Sequence, residues 1–203
     1  AQQFDVATVN TLTGFKYIAE KIAEFELSGE HAYLFGYEES YGYLIETFVR
    51  DKDAVQVALK VAEMAAYYTV QGKTLLHALD ELYEQYGYYQ EALVSKMFEG
   101  KDGQEQMQTI LNSYREKLPT EIADVAVVRV EDYLTGVATQ HDGRRETILL
   151  PRENVLKFIL EDQSWIAIRP SGTEPKCKFY FGVVKGSKEQ ATEAIERLKQ
   201  YFA

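Results

Sequence analysis

Four apolar runs crowd the last two fifths of the chain: Val125 to Val130, Val155 to Leu160, Trp165 to Ile168 and Lys178 to Val184. Turn signals separate them, including Asp142-Gly143 and Glu161-Asp162-Gln163, so each reads as a strand. Short strands cannot bury an apolar face alone, which constrains this region to a sheet. Ser187 then caps a final helix to about Phe202, with Ala191, Ile195 and Leu198 on its inward face. Strands followed by a terminal helix predict a small α+β domain with a mostly antiparallel sheet and packed helices.

The first half follows another rhythm. Phe4 to Val9 alternates apolar and polar residues and reads as a strand. Phe15 to Phe25 reads as a helix with Phe15, Ile18, Ile22 and Phe25 on one face, closed by Ser28-Gly29. His31 to Phe35 reads as a short buried strand, followed by a polar loop from Gly36 to Gly42. Asp53 is a good N-cap for a long helix to about Val70, with Val57, Val61, Met64 and Tyr68 at helical spacing. Thr74 starts another helix through Tyr86. This alternation predicts an α/β segment, a partial α/β domain. Tyr88 to Met97 reads as a strand. Glu105 to Leu118 reads as a helix with Met107, Ile110, Leu111 and Tyr114 as its apolar residues. Pro119-Thr120 is the best candidate linker, which predicts two domains, 1–120 and 121–203.

Bulk properties narrow the partners. Of 203 residues, 46% are hydrophobic, which supports a packed core. The formal net charge of −10 argues against nucleic acid and anionic membrane surfaces, both of which need a basic field. Any anion site must therefore rest on local basic residues. Cys177 is the only cysteine, which excludes an internal disulfide and fits a reducing, cytoplasmic setting. His31, His77 and His141 show no metal-ligand spacing. No apolar stretch reaches the ~20 residues of a membrane span. The first residues show no basic-then-apolar targeting pattern.

Three segments carry candidate chemistry. Ile168-Arg169-Pro170-Ser171-Gly172-Thr173-Glu174-Pro175-Lys176 is a Pro-bounded turn between two strands. A guanidinium binds phosphate oxygens in a bidentate way, Gly lets backbone N–H groups converge on an anion, and hydroxyls donate to the remaining oxygens. The competing reading is an ordinary polar turn that contains an Arg. Gly36-Tyr37-Glu38-Glu39-Ser40-Tyr41-Gly42 follows a strand, where α/β sheets usually bind ligands. Its carboxylates can do acid–base work or accept hydrogen bonds from sugar hydroxyls, against the plainer alternative of a solvated acidic turn. Thr11-Leu12-Thr13-Gly14-Phe15-Lys16 lies where a strand gives way to a helix. Lys16 can pair with a phosphate there, or be a surface Lys in the first helical turn. Arg50-Asp51-Lys52-Asp53 is either a polar wall of a site or a charged helix start.

Taken in order, Thr-x-Thr-Gly-x-Lys, Glu-Glu-Ser-Tyr-Gly with Arg-Asp-Lys-Asp, and Arg-Pro-Ser-Gly-Thr-Glu-Pro-Lys resemble the α-D-phosphohexomutases, the phosphoglucomutase and phosphomannomutase enzymes. The resemblance covers nearly the whole chain. It implies the back part of the third domain of four, then all of the fourth. It further implies that Glu38 and Ser40 contact sugar hydroxyls, that Lys16 sits near the phosphosugar, and that Arg169, Ser171, Gly172 and Thr173 hold the phosphate that is not transferred. Two positions depart from the pattern: Tyr37 stands where the family has Gly, and Ala54 where Gly often follows Lys-Asp. The family's phosphoserine loop, Thr-Ala-Ser-His-Asn-Pro, and its Mg²⁺ loop, Asp-Gly-Asp-x-Asp-Arg, are not in this sequence. Asp102-Gly103 and Asp142-Gly143 lack the further acids such a metal site needs. The resemblance thus implies a fragment with no catalytic residue and no bound metal, whose parent uses Mg²⁺. Its partners would be a hexose phosphate and the N-terminal domains of the same polypeptide. Glucose, mannose and pentose phosphates all remain open, with Glu-Glu-Ser tilting toward glucose. The rival reading is a free-standing phosphosugar-binding or regulatory module without catalysis.

Overall fold

The structure, a computed structural model, describes residues 1–98, 102–171 and 175–202, apart from the side chain of Gln104. It divides into two compact units, Ala1–Asp80 and Glu81–Ala203.

The first unit opens with a 3-10 turn, Gln2–Phe4, and then helix α1, Phe15–Ser28. The apolar spacing of α1 puts Phe15 and Ile22 in a small core with Leu44, and Ile18, Tyr33 and Val49 pack around them. A two-residue ladder follows, β1 (Gly36–Tyr37) against β2 (Tyr43–Leu44). Helix α2, Ala54–Val70, starts where expected: the Asp53 carboxylate accepts from the N–H groups of Val55 and Gln56. Helix α3, Leu75–Tyr86, runs across the division between the units.

The expected strand from Phe4 to Val9 does not form a ladder, and neither does the one from His31 to Phe35. The latter is also exposed rather than buried, with Leu34 at 59% and Phe35 at 53% of full accessibility. A strand exists only through its hydrogen-bonding neighbour, and among the described residues no segment pairs with either. The expected inward face of α2 is likewise open at Val61 and Met64.

The second unit holds an eight-stranded antiparallel sheet among the described residues. Its strands are β3 (Tyr88–Met97), β4 (Glu121–Ile122), β5 (Val125–Asp132), β6 (Val137–Gln140), β7 (Arg145–Thr147), β8 (Leu156–Leu160), β9 (Trp165–Pro170) and β10 (Lys176–Lys185). The order is β3-β10-β9-β8-β5-β6-β7, with β4 pairing β5. Alternation along β8, β9 and β10 sends Leu156, Phe158, Ile166, Ile168, Phe179 and Phe181 to one face. Helix α4, Gly103–Glu116, covers that face through Met107 and Leu111. Helix α5, Lys188–Tyr201, covers it through Ala191, Ala194, Ile195 and Leu198. Ser187 caps α5 by accepting from the Gln190 N–H. Ile110, expected in the apolar face of α4, is instead exposed.

The two compact units meet at Asp80 and Glu81. The cause is β3, which pairs with β10 along its full ten residues and so belongs to the second sheet. Thr120 is tied in as well, its carbonyl accepting from the Val127 N–H. Gly182 lies directly across from Trp165, and a Cβ there would come within 2.3 Å of the indole. Gly182→Val is therefore expected to lower stability by about 1–3 kcal/mol, since the Trp165 indole must move or the strand must strain. A urea midpoint equal to that of the parent chain would refute this.

Candidate functional site

Two polar sites take shape, one in each unit. In the first, β1 and β2 bring the ends of the Gly36 to Gly42 loop together, and the Glu38 N–H donates to the Gly42 carbonyl at 2.8 Å. The Asp53 N–H donates to the Tyr43 carbonyl, which fastens the start of α2 to the same hairpin. Lys52 is thereby held beside the loop, with its Nζ 3.9 Å from a Glu38 carboxylate oxygen. Only 12% of the Glu38 side chain is exposed, so this carboxylate is largely sheltered while Lys52 remains half in solvent. Gly42 makes the arrangement possible: a Cβ there would lie 2.5 Å from Glu38 Oε2 and 2.7 Å from Lys52 Cδ. Beneath the hairpin, Tyr33 donates to the Leu44 carbonyl at 2.9 Å. Burial pushes the Tyr33 phenol up to about 12, against a hydrogen bond with the Gly36 backbone, so it stays a neutral donor.

Ser40 is exposed, and no hydrogen bond to its hydroxyl forms among the described residues. Lys16 is also exposed, its ammonium 4.6 Å from the Tyr17 ring centroid. Of the expected residues in this unit, Glu38 is thus built into a sheltered pair, while Ser40 and Lys16 are exposed on the surface. Lys52 is the residue that sequence reasoning undervalued. Its neighbour Asp53 reads as a helix cap, and capping does fix where Lys52 must go.

In the second unit, Arg169 lies next to the end of β9 and Lys176 begins β10. The Ser171 N–H donates to the Lys176 carbonyl at 2.7 Å, which closes the base of the connecting hairpin. Gly172 and Thr173 lie outside the described residues. Arg169 pairs in register with Lys178, so the two side chains leave the sheet on one face. Like charges directly opposite each other on neighbouring strands are destabilising. Among the described residues neither side chain has an ion pair to offset this. An anion would relieve it. The chain is acidic overall, yet here two cations stand together. The strand register is the signal that finds Lys178, and it is not visible until β9 and β10 are paired.

A cavity of about 560 Å³ lies at this end of the sheet. Arg169 and Ser171 line it, with Glu105 and Gln108 from α4 and with Glu153 and Asn154 from the segment before β8. Arg115 braces that wall. Its Nη2 donates to Asn154 Oδ1 at 2.7 Å, and its Nε donates to Asp132 at 3.2 Å. Arg115 can only donate, so the oxygen of the Asn154 amide must face it, and the Asn154 NH₂ group is left to donate elsewhere. Cys177, next to the hairpin, is buried, which pushes its thiol up to about 11 and makes it a poor nucleophile. Among the described residues no three His, Cys, Asp or Glu side chains group as a metal site. No helix among them is long and apolar enough to cross a membrane.

Comparison with known proteins matches most of the chain to one family. Residues 1–86 match the family model described as phosphoglucomutase/phosphomannomutase, alpha/beta/alpha domain III. Residues 111–200 match the model of the C-terminal domain of the same family. A phosphoglucomutase of Staphylococcus haemolyticus is 42% identical over 196 residues, covering 96% of this chain and 35% of that protein. One from Staphylococcus epidermidis is 41% identical over 181 residues, covering 89% of this chain and 33% of that protein. This chain therefore spans about a third of the length of the curated relatives it matches. Among solved structures, the open form of pp63/parafusin, a phosphoglucomutase from Paramecium, superposes with a TM-score of 0.57 at 18% identity. That match covers 91% of this chain and 31% of the other, and the likeness is one of fold.

Replacing Arg115 with Met is expected to cost about 1–3 kcal/mol, because Asp132 and Asn154 lose their partner in a mostly buried place. Chemical denaturation of the variant measures this, and a change below about 0.5 kcal/mol would show that Arg115 braces nothing.

Proposed function

Because this chain belongs to the phosphoglucomutase/phosphomannomutase family, we propose that it is the sugar- and phosphate-recognising portion of an enzyme that interconverts hexose 1-phosphate and hexose 6-phosphate. The observation that carries the reading is the pair of cations Arg169 and Lys178, opposite each other at the base of the hairpin and without an ion pair among the described residues, with Arg169 also lining the 560 Å³ cavity. Arg169 and Lys178 supply charge to the phosphate that is not reacting. Ser171, Gly172 and Thr173 complete its hydrogen bonds with hydroxyl and backbone donors. Glu38 accepts from sugar hydroxyls. Lys52, with its Nζ 3.9 Å away, stands beside that carboxylate. Ser40 and Lys16 add a hydroxyl and a charge from the surface of the same unit.

The chemistry itself lies outside these residues. In the intact enzyme a phosphoserine gives its phosphoryl group to one sugar hydroxyl, forming a bisphosphorylated sugar. That intermediate turns end for end, and the other phosphoryl group returns to the serine. The loops of this chain then bind both orientations, which favours contacts with features that the two share. Phosphoryl transfer of this kind depends mainly on positioning and charge stabilisation, and this portion contributes positioning. Among the described residues no acidic cluster fits Mg²⁺, and in this reading the ion belongs to the rest of the polypeptide. The Glu-Glu-Ser sequence favours glucose phosphates over mannose and pentose phosphates. A cytoplasmic setting suits both the substrate and the buried, unpaired Cys177. A free-standing binding module is the weaker reading, since proteins named phosphoglucomutase align with nearly all of this chain as one third of a longer polypeptide.

In the full-length enzyme, Arg169→Ala is expected to raise KM for glucose 1-phosphate about 30-fold, from the loss of roughly 2 kcal/mol of charge-assisted contact. Unchanged kinetics would remove Arg169 from the site. The purified 203-residue chain, freed of host enzyme, is expected to show no turnover of glucose 1-phosphate. Measurable conversion would mean that the transferring group lies within it.

A further inference from the structure

The sheet of the second unit ends in β7 on one side and β3 on the other, and the two edges are unlike. β7 is three residues long and exposed throughout, with Arg145 and Glu146 as charges. Short, charged edge strands are how soluble sheets avoid pairing with another chain. β3 runs for ten residues without a proline, and no bulge interrupts its register with β10. Its outward face carries Tyr89 at 60%, Leu93 at 53% and Met97 at 57% of full accessibility. Glu91 and Lys96 are its only charges, and Lys96 turns back to donate to the Phe202 carbonyl. Every second residue of β3 directs its N–H and C=O away from β10. Among the described residues no other strand receives them.

We propose that this open edge joins two copies of the polypeptide, β3 pairing antiparallel with β3 of the second copy about a twofold axis through Leu93. Residue order along β3 points to that occupant. Residues directly opposite in such a pair must lie on the same face of the sheet. With the axis at Leu93, that residue meets its own copy, Tyr89 meets Met97 and Glu91 meets Ser95 on the outward face. On the inward face Gln90 meets Lys96 and Ala92 meets Val94. Every large apolar side chain of the outward face thus finds an apolar partner, and no like charges stand opposite each other. Neighbouring registers are worse. Moving the axis by one residue sets Leu93 against Glu91 or Ser95, and moving it by two toward Tyr89 sets Glu91 against itself. Self-complementarity about one point is what a twofold interface requires, and strand addition supplies its main-chain hydrogen bonds. The hairpins that carry Arg169 and Lys178 follow the Met97 ends of the two strands, so they fall at opposite ends of the joined sheet.

The inference goes beyond the proposed function and needs neither the phosphate role of Arg169 nor the sugar role of Glu38. One strand pair makes a small interface, so the dimer is expected to dissociate on dilution rather than to be permanent. Sedimentation of the full-length enzyme over a dilution series measures this. Leu93→Lys sets two cations together at the axis and is expected to raise the dimer dissociation constant at least about ten-fold. Its turnover of glucose 1-phosphate should be unchanged, which reports folding in the same sample. Oxidised Leu93→Cys gives the register directly. Its two copies would lie about 4.5–5.5 Å apart between Cα atoms, within disulfide reach. In Tyr89→Cys the two copies stand eight residues apart, about 27 Å, and no link between them is expected. Mass spectrometry of the linked peptides identifies the residue joined. A monomer at every concentration would overturn the proposal. So would a dimer indifferent to Leu93→Lys, or one that links through Tyr89→Cys as readily as through Leu93→Cys.

Discussion

The ladder between β3 and β10 is the contact on which the second unit depends. Ten residue pairs run from Met97 and Lys176 to Tyr88 and Lys185. This ladder makes β10 an interior strand, with β9 on its other side. Interior strands can bury one whole face. Cys177, Phe179, Phe181 and Val183 do so, and Phe202 at the end of α5 packs its ring against both Phe179 and Phe181. The hairpin that carries Arg169 and Lys178 hangs from this rigid edge. Its register, and with it the placing of two cations side by side, is fixed by apolar packing rather than by any polar contact of its own.

The same dependence explains what was legible in the sequence. The strands β5, β8, β9 and β10 and the helices α1, α2, α3 and α5 follow from apolar spacing, and the caps at Asp53 and Ser187 follow from local chemistry. Those are properties of short windows. The short strands β4, β6 and β7 bury little and leave a faint pattern; β7 is exposed throughout. Segments 4–9 and 31–35 show the opposite failure. Their local pattern is strand-like, yet pairing is a relation between segments, and no window of sequence shows whether a neighbour is present. The inclusion of β3 in the second compact unit has the same origin. Pro119-Thr120 has the composition of a linker, but β3 lies upstream of it and pairs across it.

The sites divide along similar lines. The motif around Arg169 can be read directly, because Pro, Gly and hydroxyl residues mark a turn and Arg marks its charge. Glu38 can be read as a loop carboxylate, but its ion pair with Lys52 and its shelter behind Gly42 require the hairpin. The bracing of Asn154 by Arg115 joins residues far apart in the chain and leaves no local signature. A net charge of −10 excludes broad anion binding, which makes the small cationic pair at Arg169 and Lys178 more telling than it would be on a basic protein.

The long β3–β10 ladder also sets the order in which this polypeptide can mature. About eighty residues separate Met97 from its partner Lys176. At a synthesis rate of 5–20 residues per second, β3 leaves the ribosome roughly 4–16 s before β10 follows. Through that interval an edge carrying Tyr89, Leu93 and Met97 has no strand to pair with, while α4 and β5 to β9 emerge behind it. A contact of such long range also closes slowly once both halves exist. The last strand made is thus the one that locks the hairpin after β9, and a nascent chain stopped short of it would carry Arg169 without the register that places Lys178 beside it.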